Sequence, residues 1–159
     1  MIIARYALNG LPTSILSVPG VGNFPAFSGQ RYGRNNVTMA GRPEIGPIPP
    51  GRYFIVGRKS GGRLGALRNF FLRNFYGTDR ESWFALYKED WQIDDTVFVD
   101  GVKRGNFRLH PIGPMGLSEG CITLSFQSDF DYLSKALSKT TMIQVPCSSF
   151  MAYGTITVT

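Results

Sequence analysis

Nine short runs of aliphatic, β-branched and aromatic residues set the limits on how this chain can fold. They are IIARYAL (2–8), SILSV (14–18), RYFIVG (52–57), WFALYK (83–88), TVFVD (96–100), NFRLH (106–110), CITLS (121–125), MIQV (142–145) and GTITVT (154–159). All are fenced by Gly, Pro, Asn and Asp, and none is long enough to be a typical helix, so they read as strands. The 159 residues include 19 Gly and 10 Pro, yet 43% are hydrophobic and 13% aromatic, which describes a turn-rich chain with material for a real core. Two segments carry a helical period instead. In 62–75, Leu64, Leu67, Phe71 and Phe75 fall at i, i+3, i+7 and i+11 with arginines between them. In 128–139, Ser128 and Asp131 resemble a capping start, and Phe130, Leu133 and Leu137 form an apolar stripe. The expected fold is therefore mainly β with one or two short helices, in a single domain over 1–159. Residues 20–50, which include GRPEIGPIPPG, read as a long structured loop, and loops of that kind often carry function.

Charge and composition then exclude classes of function. The formal net charge of +6 favours anionic partners. The basic residues are dispersed (Arg5, Arg31, Arg34, Arg42, Arg52, Arg58, Arg63, Arg68, Arg73), with no block that would read as a nucleic-acid tail. A nucleic-acid-binding barrel would need Tyr53, Phe54, Trp83 and Tyr87 on its surface, and at strand spacing these read as core, so nucleic acid is not an expected partner. No run approaches the ~18 apolar residues of a membrane span, and membrane insertion is not expected. The opening MIIARYALNGLP is too short an apolar run for the roughly 7 to 15 residues of a secretory signal core. One histidine, and two cysteines (Cys121 and Cys147) without a CxxC spacing, make a protein-ligated metal improbable, and no cofactor motif is present. The two cysteines are enough for one disulfide and not for a disulfide framework.

The single histidine and the first cysteine bracket one glycine-rich window, HPIGPMGLSEGC (110–121). His110 ends one expected strand and Cys121 opens another, so the crossing between them would return the thiol beside the imidazole. A cysteine nucleophile needs a base to hold it as thiolate near neutral pH, and His110 is the available imidazole. Gly120 would let the backbone approach a substrate, so that the amides of Gly120 and Cys121 face the oxyanion of a tetrahedral intermediate. Ser118 would orient His110 or donate to the substrate. The competing reading is a buried structural cysteine after a turn. Papain-like peptidases place cysteine well before histidine, an order absent here.

The window HPIGPMGLSEGC followed by ITL resembles the active-site signature of L,D-transpeptidases, and more closely that of the type VI secretion L,D-transpeptidase-like effectors. GPIPPGRYFIV (46–56) is similar to the Pro-x-Gly-x-Tyr start of a core strand in these enzymes. Housekeeping members carry histidine inside Ser-His-Gly-Cys and arginine soon after, where this chain has Glu119 and Thr123. The resemblance implies an L,D-transpeptidase-like β-sandwich or barrel, with Cys121 as nucleophile, His110 as base, and Ser118 and Gly120 as supports. It implies an antibacterial effector acting on peptidoglycan tetrapeptide stems, as an L,D-carboxypeptidase or by D-amino acid exchange, through a Cys121 thioester. Its implied partners are peptidoglycan stem peptides, a cognate immunity protein and a secretion-machine carrier, and its implied place of action is the periplasm of target bacteria, reached without a signal peptide. The alternative is a non-catalytic wall-binding or structural module that keeps a degenerate site.

Overall fold

The computed structural model describes residues 1–57 and 83–159. The helix expected over 62–75 lies outside the described residues. Eight strands form a closed barrel: β1 (Ile2–Tyr6), β2 (Ser14–Val18), β3 (Gly22–Phe27), β4 (Gly51–Val56), β5 (Phe84–Lys88), β8 (Arg108–Pro111), β9 (Ile122–Leu124) and β11 (Met151–Val158). Their order is β1-β2-β3-β9-β8-β5-β4-β11, and β11 pairs again with β1. Closure pairs the two edge strands of this eight-stranded sheet with each other. A short β10 (Ile143–Gln144) extends the sheet along the start of β11, while β6 (Thr96–Val99) and β7 (Val102–Gly105) make a separate hairpin.

Most neighbours are antiparallel, but β1–β11 and β8–β9 are parallel. Parallel neighbours cannot be joined by a tight hairpin. The chain therefore leaves β8, travels through residues 112–121 without a helix, and re-enters beside the strand it left.

The strand period of two sorts side chains onto two faces. Tyr53, Ile55, Phe84, Leu86, Leu109, Ile122, Leu124 and Ile156 belong to one buried cluster. Phe54, Val56, Ala85 and Tyr87, which alternate with them, join Val145 and Ala152 in a second. The helix α1 (Gln127–Lys139) adds Phe130, Leu133 and Leu137 to the first cluster, as its apolar stripe predicts. Its cap differs from expectation. The N-cap is Phe126, so Ser128 lies inside the first turn, and Asp131 instead accepts from the Gln127 side chain at 2.8 Å.

Other expectations are corrected by tertiary context. The stretch 20–50 is not loop throughout, because Gly22–Phe27 is strand β3, with Pro25 opposite Ile15 and Phe24 and Ala26 buried. Strand β7 was not anticipated either: Val-Lys-Arg-Gly has no apolar alternation, and among the described residues it pairs with β6 alone. Cys121 and Cys147 are both free, one buried and one exposed, so they form no disulfide. Tyr53, Phe54, Trp83 and Tyr87, by contrast, are all buried, as their reading as core residues expects. The Pro-x-Gly-x-Tyr segment has a local explanation: Gly51 starts β4 at φ +145°, and the buried Tyr53 hydroxyl donates back to the Pro49 carbonyl at 2.7 Å.

The β1–β11 seam closes at Gly154, opposite Ile2, where any Cβ would overlap the Ile2 carbonyl. Gly154→Val is expected to cost about 1–3 kcal/mol of stability by overpacking a backbone contact that cannot yield. Urea unfolding reads this directly; an unchanged midpoint and slope would mean that the seam carries no strain.

Candidate active site

Parallel pairing of β8 with β9 places Leu109 beside Ile122, and His110 beside Thr123. Leu109 and Ile122 point into the main core. By alternation Arg108, His110, Cys121 and Thr123 share the opposite face, the outer one. All four are buried there. The crossing from β8 to β9 thus sets the histidine and the cysteine on one face of adjacent strands, as the window's spacing suggests.

The imidazole is tightly defined. His110 is fully buried and its ring stacks on Trp83, with centroids 4.4 Å apart and planes inclined by 18°. Nδ1 lies 2.7 Å from the Pro111 carbonyl, which can only accept, so Nδ1 carries the proton. The Nε2 lone pair is then directed at β9, where Thr123 Oγ1 stands 3.3 Å away and donates. Among the described contacts neither ring nitrogen bonds the thiol; Cys121 Sγ has the Asn106 carbonyl at 3.9 Å.

Burial controls the protonation of both groups. It pushes His110 down to about 4, against the upward pull of its bond to Pro111, and the Arg108 charge pushes the same way as burial. It pushes the Cys121 thiol up to about 11, more than the Arg108 charge and amide draw it down, while Glu119 and Asp95 add to the rise. At rest the thiol and the imidazole are therefore both neutral. The expected standing thiolate is not what this environment favours.

The crossing is held from below by backbone-directed bonds. Ser118, fully buried, donates to the Cys121 carbonyl at 2.8 Å and accepts from the Gly29 amide at 3.3 Å. It fixes the turn carrying the thiol and bonds no atom of His110, contrary to the expectation that it orients the ring. Ser28 Oγ donates to the Gly120 carbonyl at 3.2 Å and accepts from the Ile48 amide at 2.8 Å. Gly120 sits at φ +112°, and a Cβ there would lie 2.6 Å from Arg104 Nη2 and 2.7 Å from Phe107 Cε1. The glycine is thus demanded by packing and by backbone angle alike, so a valine at this position would disturb the fold along with any oxyanion contact.

Three participants escape a sequence reading. Arg104 is buried and donates to the carbonyls of Ala40, Gly46 (3.1 Å) and Glu119 (3.3 Å), pinning the 40–47 segment against the crossing. Arg108, 1% exposed, makes a bidentate pair with Asp95 at 2.6 and 2.9 Å beside the thiol. Thr123 Oγ1 meets His110 Nε2. The Arg-x-His and Cys-x-Thr spacings at period two signal that Arg108 and Thr123 share the site's face, whereas no local pattern announces Asp95. Among the described residues, no three His, Cys, Asp or Glu side chains converge as metal ligands would.

The two shifts predict a stability plateau. His110 takes up a proton near 6.5 when unfolded and only near 4 when folded, so stability is full above 6.5 and falls as pH drops toward 4. Cys121 ionises near 9.0 unfolded and near 11 folded, so stability falls as pH rises between these values. Each limb is worth about 3 kcal/mol at its end. Urea midpoints across pH should show the plateau, and His110→Gln should flatten the acid limb; an unaltered acid limb in that variant would contradict the buried neutral imidazole.

No curated protein matches the chain. The model of the Tlde1 domain, the type VI L,D-transpeptidase effector 1 family, matches residues 22–148, a span that includes the β8–β9 crossing with His110 and Cys121. The chain belongs to the Tlde1 domain family.

Proposed function

We propose that this protein is an antibacterial effector that acts on peptidoglycan tetrapeptide stems as a cysteine L,D-carboxypeptidase, a D-amino acid exchanging L,D-transpeptidase, or both. The observation that carries the reading is the pairing of His110 with the strand of Cys121, with the Pro111 carbonyl leaving Nε2 as the basic nitrogen. Family membership supplies the cell-wall target.

In this reading Nε2 of His110 removes the Sγ proton as sulfur attacks the carbonyl carbon of the L,D bond before the terminal D-alanine. The carbonyl π electrons move to oxygen, and the amides of Gly120 and Cys121 stabilise that oxyanion. Collapse of the intermediate breaks the C–N bond, and the imidazolium returns its proton to the departing amine of D-alanine. A thioester remains on Cys121. Water attacking it, with Nε2 again as base, gives the carboxypeptidase product and frees the thiol; a D-amino acid amine gives exchange. Starting from neutral partners suits this cycle, because no standing thiolate has to be stabilised between turnovers. The imidazole stays basic above a pH of about 4, so the base is ready throughout the neutral range. The reading includes delivery by a contractile secretion machine into the periplasm of target bacteria and a cognate immunity protein in the producer.

Digestion of purified peptidoglycan, followed by mass analysis of muropeptides, tests it. The wild-type protein should shorten tetrapeptide stems or exchange their last residue. Cys121→Ala should lower the rate by at least about 10⁴-fold, consistent with loss of a nucleophile, and Cys147→Ala, at an exposed cysteine away from the crossing, should leave the rate unchanged. Muropeptide turnover by folded Cys121→Ala sinks the assignment, and wall binding with no turnover by any form would make the protein a wall-binding module.

A further inference from the structure

The loop that supports the Cys121 turn also builds one wall of a cleft. Residues 10–12, between β1 and β2, and residues 31–34 face each other across a cleft of about 340 Å³, lined by Arg31, Arg34, Tyr32, Leu11, Gly10 and Pro12. Both walls are held by one fully buried residue. Asn35 accepts the Gly10 amide on its backbone carbonyl at 2.8 Å and donates Nδ2 to the Leu11 carbonyl at 2.8 Å. Its Oδ1 accepts from the Ser28 amide at 2.9 Å and from the Tyr6 hydroxyl. Such a cleft is preorganised, so a ligand need not order it.

Its chemistry selects an anion. Arg31 is exposed, and neither Arg31 nor Arg34 meets an acidic side chain among the described residues. Arg34 lines the cleft while its guanidinium lies over the Phe27 ring at 4.0 Å and donates to the Gly116 carbonyl at 3.3 Å, contacts that fix its position. Tyr32 and Leu11, 65% and 59% exposed, offer a hydroxyl and apolar surface beside these charges. Guanidinium groups match the planar, two-oxygen geometry of a carboxylate.

The cleft is also tied mechanically to the thiol. Ser28, Gly29 and Arg34 of one loop bond Gly120, Ser118 and Gly116 of the β8–β9 crossing. We propose that this cleft is a carboxylate subsite that holds a carboxylate-bearing residue of the peptide stem while Cys121 reacts with another part of the same molecule. The proposal rests on the peptidoglycan reading above, and it assigns Arg31 and Arg34 to substrate recognition rather than to chemistry.

The test separates binding from turnover. A synthetic tetrapeptide stem with free carboxylates is titrated against Cys121→Ala protein, then against Cys121→Ala carrying Arg31→Gln or Arg31→Lys. The same titrations use the stem with its carboxylates amidated. Arg31→Gln and amidation should each weaken binding about fivefold to tenfold, without adding to one another, and Arg31→Lys should restore part of the loss. With the thiol intact, Arg31→Gln should raise KM by a similar factor at nearly constant kcat and leave the rate of Cys121 alkylation unchanged. Affinity indifferent to both changes, or no binding of the stem at all, overturns the subsite. Charge-dependent binding without any muropeptide turnover by wild-type protein keeps the cleft and overturns the catalytic reading. Turnover whose KM ignores Arg31→Gln overturns the cleft alone.

Discussion

The parallel pairing of β8 with β9 is the constraint on which the rest depends. An antiparallel hairpin here would need only a tight turn, whereas the parallel register sets His110 beside Thr123 and Cys121, two residues earlier, at the level of Arg108. A parallel pair forces the chain to cross from one end of the strands to the other, and this chain does so in residues 112–121 with no helix to stiffen the path. The crossing must therefore be held by bonds from elsewhere. Ser28, Gly29, Arg34 and Arg104 supply them, and all of these reach backbone or hydroxyl groups of the crossing. The segment that supports the Cys121 turn is consequently the same one that lines the cleft at Arg31, Tyr32 and Arg34.

Placing the pair on the outer face of the barrel, yet out of water, has an electrostatic consequence. A buried imidazole and a buried thiol both favour their neutral forms. The charged groups admitted nearby are compensated: Arg108 by a two-pronged pair with Asp95, Arg104 by carbonyls from two segments. Breaking either set would leave a buried charge unmatched, which costs more than the intact arrangement contributes. The site's surroundings are thus rigid because they cannot be partly dismantled. His110, fixed in tautomer by Pro111 and in plane by Trp83, inherits that rigidity.

How much of this was legible follows from which interactions are local. Eight barrel strands repeat at period two, and seven of them appear as apolar runs between turn residues. β3 escaped because Gly22 and Pro25 mimic a loop, and only its neighbours β2 and β9 make it a strand. The stripe Phe130, Leu133, Leu137 declared α1, while its cap did not follow the Ser-x-x-Asp pattern because Phe126 already occupies the cap. His110 and Cys121 stood out by type and spacing, and Gly120 by its place in the turn. Ser118 was singled out to orient the ring or to donate to the substrate, and a serine hydroxyl gives no local sign that it will also meet the Cys121 carbonyl and the Gly29 amide. Asp95 and the buried role of Arg104 arise from chain segments brought together only by the closed barrel, so nothing near them in sequence foretells them.

The central claim is that His110 and Cys121 act as one unit through a covalent intermediate. Intact-protein mass measured after rapid acid quench of the wild-type protein with a tetrapeptide stem tests it most directly. The account predicts a gain equal to the stem minus its terminal D-alanine, mapped to Cys121, removed by hydroxylamine and strongly reduced in His110→Gln. An adduct on another residue, or one that forms at the same rate in the His110→Gln protein, would contradict it.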